Sequence, residues 1–228
     1  MSEQRILRPI AHIYNDYTEK FGIPRQSGRA TGVLSRVVFE PPYNVSEAFR
    51  EIEGFSHLWL LFDFSKAHTE KFSPTVRPPR LGGNARVGVF ASRSPFRPNS
   101  IGLSVVELIK TEKTTDGVTL IVAGADILNG TPIYDVKPYL PYADALPNAK
   151  GGYTETTQKR TLSVRFENGV EKKFPSEKLQ GLTEVLREDP RPSYQDDNER
   201  VYKMRFGNYD VCFVVDGDIL TVQKILSV

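Results

Sequence analysis

Predicted strands follow one another through the N-terminal part of the chain with almost no helix between them. Apolar runs suited to strands cover residues 9–14, 31–39, 55–64, 87–91, 101–109, 118–123 and 133–139. The Asp116-Gly117 pair between two of these runs is typical of a hairpin turn. Parallel strands need long crossover connections, usually helices, and the spacing leaves little room for them. The pattern therefore predicts a mainly β fold, an antiparallel barrel or sandwich.

One helix is predicted inside this succession of strands, over residues 44–54. Asn44 is a suitable N-cap, and Glu47 three residues later has capping-box spacing. Apolar residues then recur with helical period, and Gly54 is a natural stop. We expect this helix to pack on one end of the sheet.

The composition changes near residues 147–153, where Pro, Asn, Ala and Gly accumulate. Beyond them, strands are predicted at residues 161–166, 201–206, 209–215 and 219–226, with an amphipathic helix over 176–188. We therefore predict two domains, residues 1–150 and residues 154–228. The second is a small α+β unit, and we expect it to help bind the substrate of the first.

Composition excludes several classes of protein. The chain has 228 residues, a net charge of +2, a single cysteine and three histidines without metal-ligand spacing. One cysteine cannot supply a disulfide framework or a thiolate-bound metal cluster. No run approaches the length of a membrane span, and no signal peptide is evident. We expect a cytoplasmic protein without metal and without membrane association.

The segment from Lys71 to Val106 contains no acidic residue, although the chain as a whole is almost neutral. Its cations are Lys71, Arg77, Arg80, Arg86, Arg93 and Arg97. The arginine fork suits carboxylates and phosphates, and the many Pro and Gly residues indicate that backbone shape matters. This pattern favours an anion-binding site over a solvated loop. We expect Arg77, Arg80, Arg86 and Arg97, together with Asn99, to contact nucleic-acid phosphates.

The motifs of common enzyme classes are absent: the chain has no phosphate-binding P-loop, dinucleotide fingerprint, nucleophile elbow or zincin motif. One strand is unusual, because Asp135, Lys137 and Tyr139 alternate on one face at roughly 6–7 Å intervals. Such a row faces either solvent at a sheet edge or a cavity. Pro138 indicates an edge or a strand end.

Several longer motifs carry a family resemblance. PRLGGNARVGVFASRSPFRPNSIGLSVVEL, GTPIYDVKPYLPYADA, FGIPRQ and FSHLWLLF are similar to the TsaA-like family, and more narrowly to its TrmO-type bacterial tRNA methyltransferases. DPRPSY and the strands after it resemble the smaller C-terminal domain of those enzymes. The resemblance implies a β-barrel, S-adenosylmethionine (SAM) as methyl donor, and a homodimer. It also implies N6-methylation of N6-threonylcarbamoyladenosine beside the anticodon, at position 37 of tRNA.

Carried over by position, the resemblance implies a set of cofactor-binding residues: Pro24, Arg25, Gln26, Ser65, Lys66, Arg93, Leu103, Gly130, Thr131, Pro132 and Ile133. Two positions differ from the family pattern. Ser100 stands where relatives often have a proline, so the rigidity of the loop that carries Arg93 does not carry over. Ser65 stands where some relatives have a histidine, so no side-chain role is carried over there. The methionine carboxylate of SAM needs a cationic fork, and Arg93 is the candidate.

Asp135, Lys137 and Tyr139 are the ionisable groups that we expect to act on the substrate nitrogen. Asp135 either accepts a proton or hydrogen bond from that nitrogen, or pairs with Lys137 or an arginine and holds the strand, and the sequence leaves both open. The alternative to an enzyme is an RNA-binding β-barrel that uses no SAM.

Overall fold

The structure is a computed structural model that describes residues 6–82, 85–157, 161–192, 195 and 197–228. Gly83 and Asn84 of the first motif, and Ser193 and Tyr194 of the DPRPSY motif, lie outside these ranges. The described strands are β1 (Ala11–Tyr14), β2 (Leu34–Phe39), β3 (His57–Asp63), β4 (Thr75–Val76), β5 (Val87–Gly88), β6 (Ile101–Thr114), β7 (Gly117–Ala123), β8 (Thr131–Pro138), β9 (Ser163–Phe166), β10 (Tyr202–Phe206), β11 (Tyr209–Asp216) and β12 (Ile219–Ser227). The described α-helices are α1 (Pro141–Asp144), α2 (Tyr153–Thr156) and α3 (Ser176–Arg187).

Six strands close into a barrel in the order β1-β2-β7-β6-β3-β8, and all neighbouring pairs are antiparallel. The prediction of a mainly β fold with an antiparallel barrel is therefore confirmed. Alternation along each strand explains the core, because successive side chains point to opposite faces. On β3, Leu58, Leu60 and Phe62 are buried inside, whereas His57 and Trp59 are only partly covered.

The predicted helix over residues 44–54 was wrong. Two short 3-10 helices, Ser46–Phe49 and Ile52–Gly54, take its place, and Glu51 between them has a left-handed backbone with φ of 66°. Asn44 does not cap a helix, because its side-chain amide donates to the Asp116 carbonyl at 2.6 Å and so holds the β6–β7 turn. The expected packing survives, since Phe49 is buried against Phe39 in the barrel core.

The predicted strand over residues 87–91 was also wrong in its second half. Only Val87–Gly88 pairs, with β4, and Val89–Ala91 forms a 3-10 turn. The Val89 carbonyl accepts from the Ser92 hydroxyl at 2.8 Å and from the Arg97 guanidinium at 3.1 Å. Because these local donors satisfy that carbonyl, the backbone turns and does not continue a ladder.

The C-terminal part forms a second sheet, in the order β10-β11-β12-β9, against which α3 packs. Leu182 and Leu186 of α3 are fully buried, as the amphipathic pattern predicted. This core is not built from C-terminal residues alone. It also contains Tyr17, Ala30 and Val33 from the connection between β1 and β2. Within the described residues, no helix is long and apolar enough to cross a membrane.

Candidate functional site

A cavity of about 1130 Å³ opens where the loop from β3 to β6 meets the barrel rim and the β1–β2 connection. Most of the cations predicted from the sequence line it, namely Arg25, Lys71, Arg77, Arg80, Arg86, Arg93 and Arg97. The carboxylates of Glu70 and Asp126 are the acidic groups on its described lining. The cavity is therefore strongly positive although the chain is almost neutral, and it attracts anionic ligands.

Arg93 lies on the cavity lining and contacts the facing loop. Its Nη1 donates to the Oε1 of Gln26 at 2.8 Å, which joins the two loops that the resemblance assigned to one site. Gln26 in turn donates to the Arg25 carbonyl at 2.6 Å. Arg93 itself remains exposed, so the rest of its guanidinium fork can receive a carboxylate.

Arg97 differs from Arg93, because its guanidinium is bound to the loop that carries it. Nη1 donates to the carbonyls of Val89 at 3.1 Å and Ser92 at 2.7 Å. The guanidinium also lies over the Phe90 ring, 5.8 Å from its centroid. Arg97 therefore stabilises the loop that carries Arg93. From the sequence alone, an arginine with this structural role cannot be told apart from one that contacts phosphate.

The remaining residues predicted to contact RNA are spread around the cavity. Arg86 donates to the Thr75 hydroxyl at 2.8 Å, and Arg80 donates to the Thr154 carbonyl at 3.4 Å. Arg77 is exposed on the cavity lining. Asn99 is exposed and outside the described lining, and its carbonyl accepts from the Ile101 amide at 2.7 Å.

Asp126 is a buried acidic residue of the lining that the sequence analysis missed. It accepts a hydrogen bond from the hydroxyl of Ser104, a side chain that is 3% exposed on β6. Burial raises the pKa of Asp126, while the Ser104 hydrogen bond and the nearby Arg93 charge oppose that rise. Titratable groups with this combination of burial and a charged partner cluster at functional sites. A signal was present, because Asp126 is an isolated carboxylate in the apolar run from Val118 to Leu128.

The cofactor-site residues implied by the resemblance are brought together only in part. Pro24, Arg25, Gln26, Arg93 and Leu103 line the cavity. The others, which do not appear on its described lining, are Ser65, Lys66, Gly130, Thr131, Pro132 and Ile133.

These other residues have contacts of their own. The Lys66 carbonyl accepts from Lys20 at 2.6 Å, and the Gly130 amide donates to the Ile13 carbonyl at 2.7 Å. The side chains of Thr131 and Ile133 are 4% and 0% exposed, because they point into the barrel.

Asp135 and Lys137 of β8, and Tyr139 just after the strand, point away from the barrel interior. Asp135 forms an ion pair with Lys137 at 2.8 Å, and these side chains are 41% and 61% exposed. Tyr139 packs beside the rings of His57 and Trp59, with centroids 6.3 and 5.8 Å away. None of the three lies on the described lining of the cavity. Among the described residues, no group of three or more His, Cys, Asp or Glu side chains is arranged to hold a metal ion.

Comparison with known proteins covers both parts of the chain. The family described as tRNA-methyltransferase O N-terminal domain matches residues 12–145, and the TrmO C-terminal domain matches residues 159–228.

Two curated relatives align over most of their length. The tRNA (adenine(37)-N6)-methyltransferase of Escherichia coli is 44% identical over 197 residues, 83% of each chain. A Pseudomonas aeruginosa protein named for S-adenosylmethionine-dependent methyl transfer is 39% identical over 212 residues, 89% of each chain.

The crystal structure of TrmO from Pseudomonas aeruginosa superposes with a TM-score of 0.82 at 30% identity, covering 100% of this chain and 99% of that one. Because the family matches extend over the barrel and the C-terminal sheet alike, the chain belongs to the TrmO family.

Proposed function

We propose that this protein transfers a methyl group from SAM to the N6 nitrogen of adenine 37 in tRNA. Family membership and the names of the relatives support this activity. The structural observation that carries it is the positive cavity in which Arg93 contacts Gln26 of the Pro24-Arg25-Gln26 loop. As the resemblance implies, the adenine carries a threonylcarbamoyl group, whose carboxylate suits a site of this charge.

The cavity fits SAM in size and in chemistry. Ligand pockets commonly enclose about 300–1,000 Å³, and the cavity's 1130 Å³ also leaves room for part of a nucleotide. Arg93 would bind the methionine carboxylate, while Pro24, Gln26 and Leu103 would line the rest of the cofactor site. When bound, SAM supplies an electrophilic methyl group. The assignments of Ser65, Lys66 and residues 130–133 rest on the resemblance alone.

Two carboxylates are candidates for the group that faces the substrate nitrogen. Asp126 lies within the cavity, next to Ser104, and its raised pKa makes its ionised form a stronger base. Asp135 is paired with Lys137 on the outer face of the barrel. We therefore propose that Asp126 accepts the hydrogen bond or proton of the N6–H group. Under this proposal the Asp135–Lys137 pair holds β8, which is one of the two roles that the sequence left open for it.

The basic rim would hold the tRNA. Four cations are exposed on the lining: Lys71, Arg77, Arg80 and Arg86. Cations arranged in this way bind phosphate through counterion release, whatever the base sequence. Under the proposal, the Arg97 and Asn99 loop sets the position of this surface relative to Arg93.

We further propose a cytoplasmic homodimer. The outer face of β6 presents Ile101, Leu103 and Ile109, which are 38%, 52% and 45% exposed. Exposed apolar side chains along one strand are typical of a surface covered in an assembly. Light scattering after size-exclusion chromatography tests the dimer. Ile109 lies outside the described cavity lining, and an Ile109→Asp variant that still runs at the wild-type mass would contradict this interface.

Nucleoside mass spectrometry tests the activity itself. Purified protein would be incubated with SAM and with tRNA from a strain that lacks the corresponding gene. We expect a mass increase of one methyl group on the modified adenosine at position 37. The rival hypothesis, an RNA-binding barrel without catalysis, predicts no such product and no heat of SAM binding in calorimetry. The names of the relatives favour the enzyme.

A further inference from the structure

The β1–β2 connection, residues 15–33, lies between the cavity and the C-terminal sheet. Its apolar side chains pack into the C-terminal core: the Phe21 ring stacks on Phe213 with centroids 6.5 Å apart and planes 4° apart. Gly22 lies against Met204 so closely that a Cβ would sit 2.2 Å from the sulfur. The connection is therefore packed as part of the C-terminal core, although in sequence it belongs to the barrel.

Polar contacts fasten the same connection at several points. Lys178 pairs with Asp16 at 2.8 Å, and the Arg205 amide donates to the Glu19 carboxylate at 2.8 Å. At the other end, the Gly32 amide donates to Glu184 at 2.7 Å. These contacts come from α3 and β10, so the C-terminal part binds the connection near both of its ends.

The middle of the connection meets a tight turn after α3. In this turn, Asp189 and Arg191 form a two-point ion pair, with Nε–Oδ1 at 2.9 Å and Nη2–Oδ2 at 3.0 Å. Arg191 is only 3% exposed, and Asp189 has a left-handed backbone with φ of 52°. A two-point pair on a buried arginine fixes the path of the backbone around it.

The Arg191 carbonyl, held in this way, accepts a hydrogen bond from the Nη2 of Arg25 at 3.1 Å. Pro24, Arg25 and Gln26 form a wall between the large cavity and a second cavity of about 500 Å³, whose far side is residues 188–192. A chain of contacts thus runs from the turn to Arg25, then to Gln26, and from Gln26 to Arg93.

We propose that the Asp189–Arg191 turn positions the cofactor loop of the barrel, with Arg25 as the contact through which it acts. The proposal rests on the cofactor site given above. Arg25 is an exposed side chain on a loop, and ordering such a chain at the moment of binding costs conformational entropy. Because the turn holds the Arg25 guanidinium in advance, the loop is preorganised for SAM. The C-terminal part then serves SAM binding as well as tRNA binding.

A double-mutant cycle on the full-length protein tests this coupling. SAM dissociation constants would be measured by calorimetry for the wild type, Arg191→Ala, Arg25→Ala and the double variant. We expect Arg191→Ala to weaken SAM binding roughly tenfold in the wild-type background. The variant keeps the backbone carbonyl at position 191 but loses the Asp189 ion pair that holds it, so the hydrogen bond from the charged Arg25 guanidinium is weakened. In the Arg25→Ala background, Arg191→Ala should change the SAM dissociation constant by less than about twofold, because the hydrogen bond between the turn and residue 25 is already absent.

Two further variants keep the outcome interpretable. Lys203→Ala removes a C-terminal ion pair of 2.8 Å with Asp210 that borders neither cavity, and it should leave SAM affinity unchanged. Arg191→Lys, which keeps the charge beside Asp189, should restore part of the affinity. A thermal melt of each variant checks that the fold is intact.

The alternative outcomes point to different failures. An equal loss for Arg191→Ala in both backgrounds, or no loss in either, would overturn the coupling while leaving the cofactor site in place. Unchanged SAM affinity in Arg93→Ala would overturn the cofactor site and this proposal with it.

Discussion

The Nη1 of Arg93 donates to the Oε1 of Gln26 at 2.8 Å, across 67 residues of sequence. This contact joins the two loops that flank the proposed cofactor site. We expect Arg93→Ala to weaken SAM binding by about 1.5–3 kcal/mol, since a hydrogen bond to a charged group is lost. Calorimetry with SAM alone measures the change. Arg36→Ala is the matched control, because Arg36 is exposed on β2 outside the cavity lining and should bind SAM like the wild type.

The two carboxylates near β8 differ in environment, and their amide variants should differ in rate. Asp126→Asn removes a proton acceptor inside the cavity, and we expect methyl transfer to slow by roughly 10²–10⁴-fold with SAM affinity nearly intact. Asp135→Asn breaks an exposed ion pair and should keep most of the rate. Single-turnover kinetics with saturating SAM and tRNA measures both variants. The reverse ranking would assign the proton acceptor to Asp135.

The same Asp126→Asn change should also stabilise the protein at neutral pH. Burial raises the pKa of Asp126 in the fold, so the neutral acid is favoured there. Because the folded state binds this proton more tightly than the unfolded chain, protonation of Asp126 stabilises the fold. This contribution is fully present below the ordinary pKa of an aspartate in the unfolded chain, and it is lost as the pH rises through the raised pKa of the folded state. We therefore expect the thermal midpoint of Asp126→Asn to exceed that of the wild type at pH 7. The difference should shrink as the pH falls, and a constant difference between pH 3 and pH 8 would contradict this account.

The salt dependence of tRNA binding should report on Arg77. If Arg77 neutralises one phosphate, Arg77→Ala should reduce the slope of log K against log salt by about one. Filter binding at a series of salt concentrations gives that slope. Lys113→Ala is the control, because Lys113 is an exposed cation near the opposite end of β6, far along the strand from the rim residue Ile101. A slope that Arg77→Ala leaves unchanged would remove this residue from the tRNA surface.

The contact between α3 and the β1–β2 connection depends on two facing glycines. A Cβ on Gly181 would lie 2.8 Å from the carbonyl oxygen of Gly32, which is backbone and has little freedom to move away. Although alanine is favoured over glycine in a helix by about 1 kcal/mol, overpacking of this kind costs roughly 1–3 kcal/mol. We expect Gly181→Ala to lower the free energy of unfolding in urea. Gly54→Ala, where a Cβ meets open space, should show no comparable loss.

Much of the architecture could be predicted from local pattern. Strand periodicity and the Asp116-Gly117 turn indicated antiparallel β structure, and the resemblance chose the barrel over the sandwich. The α3 helix was also predicted, because its apolar stripe is long and regular. Prediction failed at Asn44 and at Val89, where hydrogen bonds to Asp116 and Arg97 decide the backbone. Asp116 is distant from Asn44 in sequence, and Arg97 binds a backbone carbonyl that strand pairing would otherwise use. Local residue propensities therefore do not predict either contact.

The chemistry available to this protein could be predicted without coordinates: an acid-free segment of arginines on a loop rich in Pro and Gly, and motifs similar to those of a methyltransferase family. Which of these groups meet depends on the three-dimensional fold. It set Arg93 against Gln26, brought Asp126 into the cavity and left the Asp135–Lys137 pair on the outer face. It also built residues 15–33 into the C-terminal core. The reason is physical, because barrel closure and shared burial bring distant residues into contact, whereas sequence spacing constrains only near neighbours.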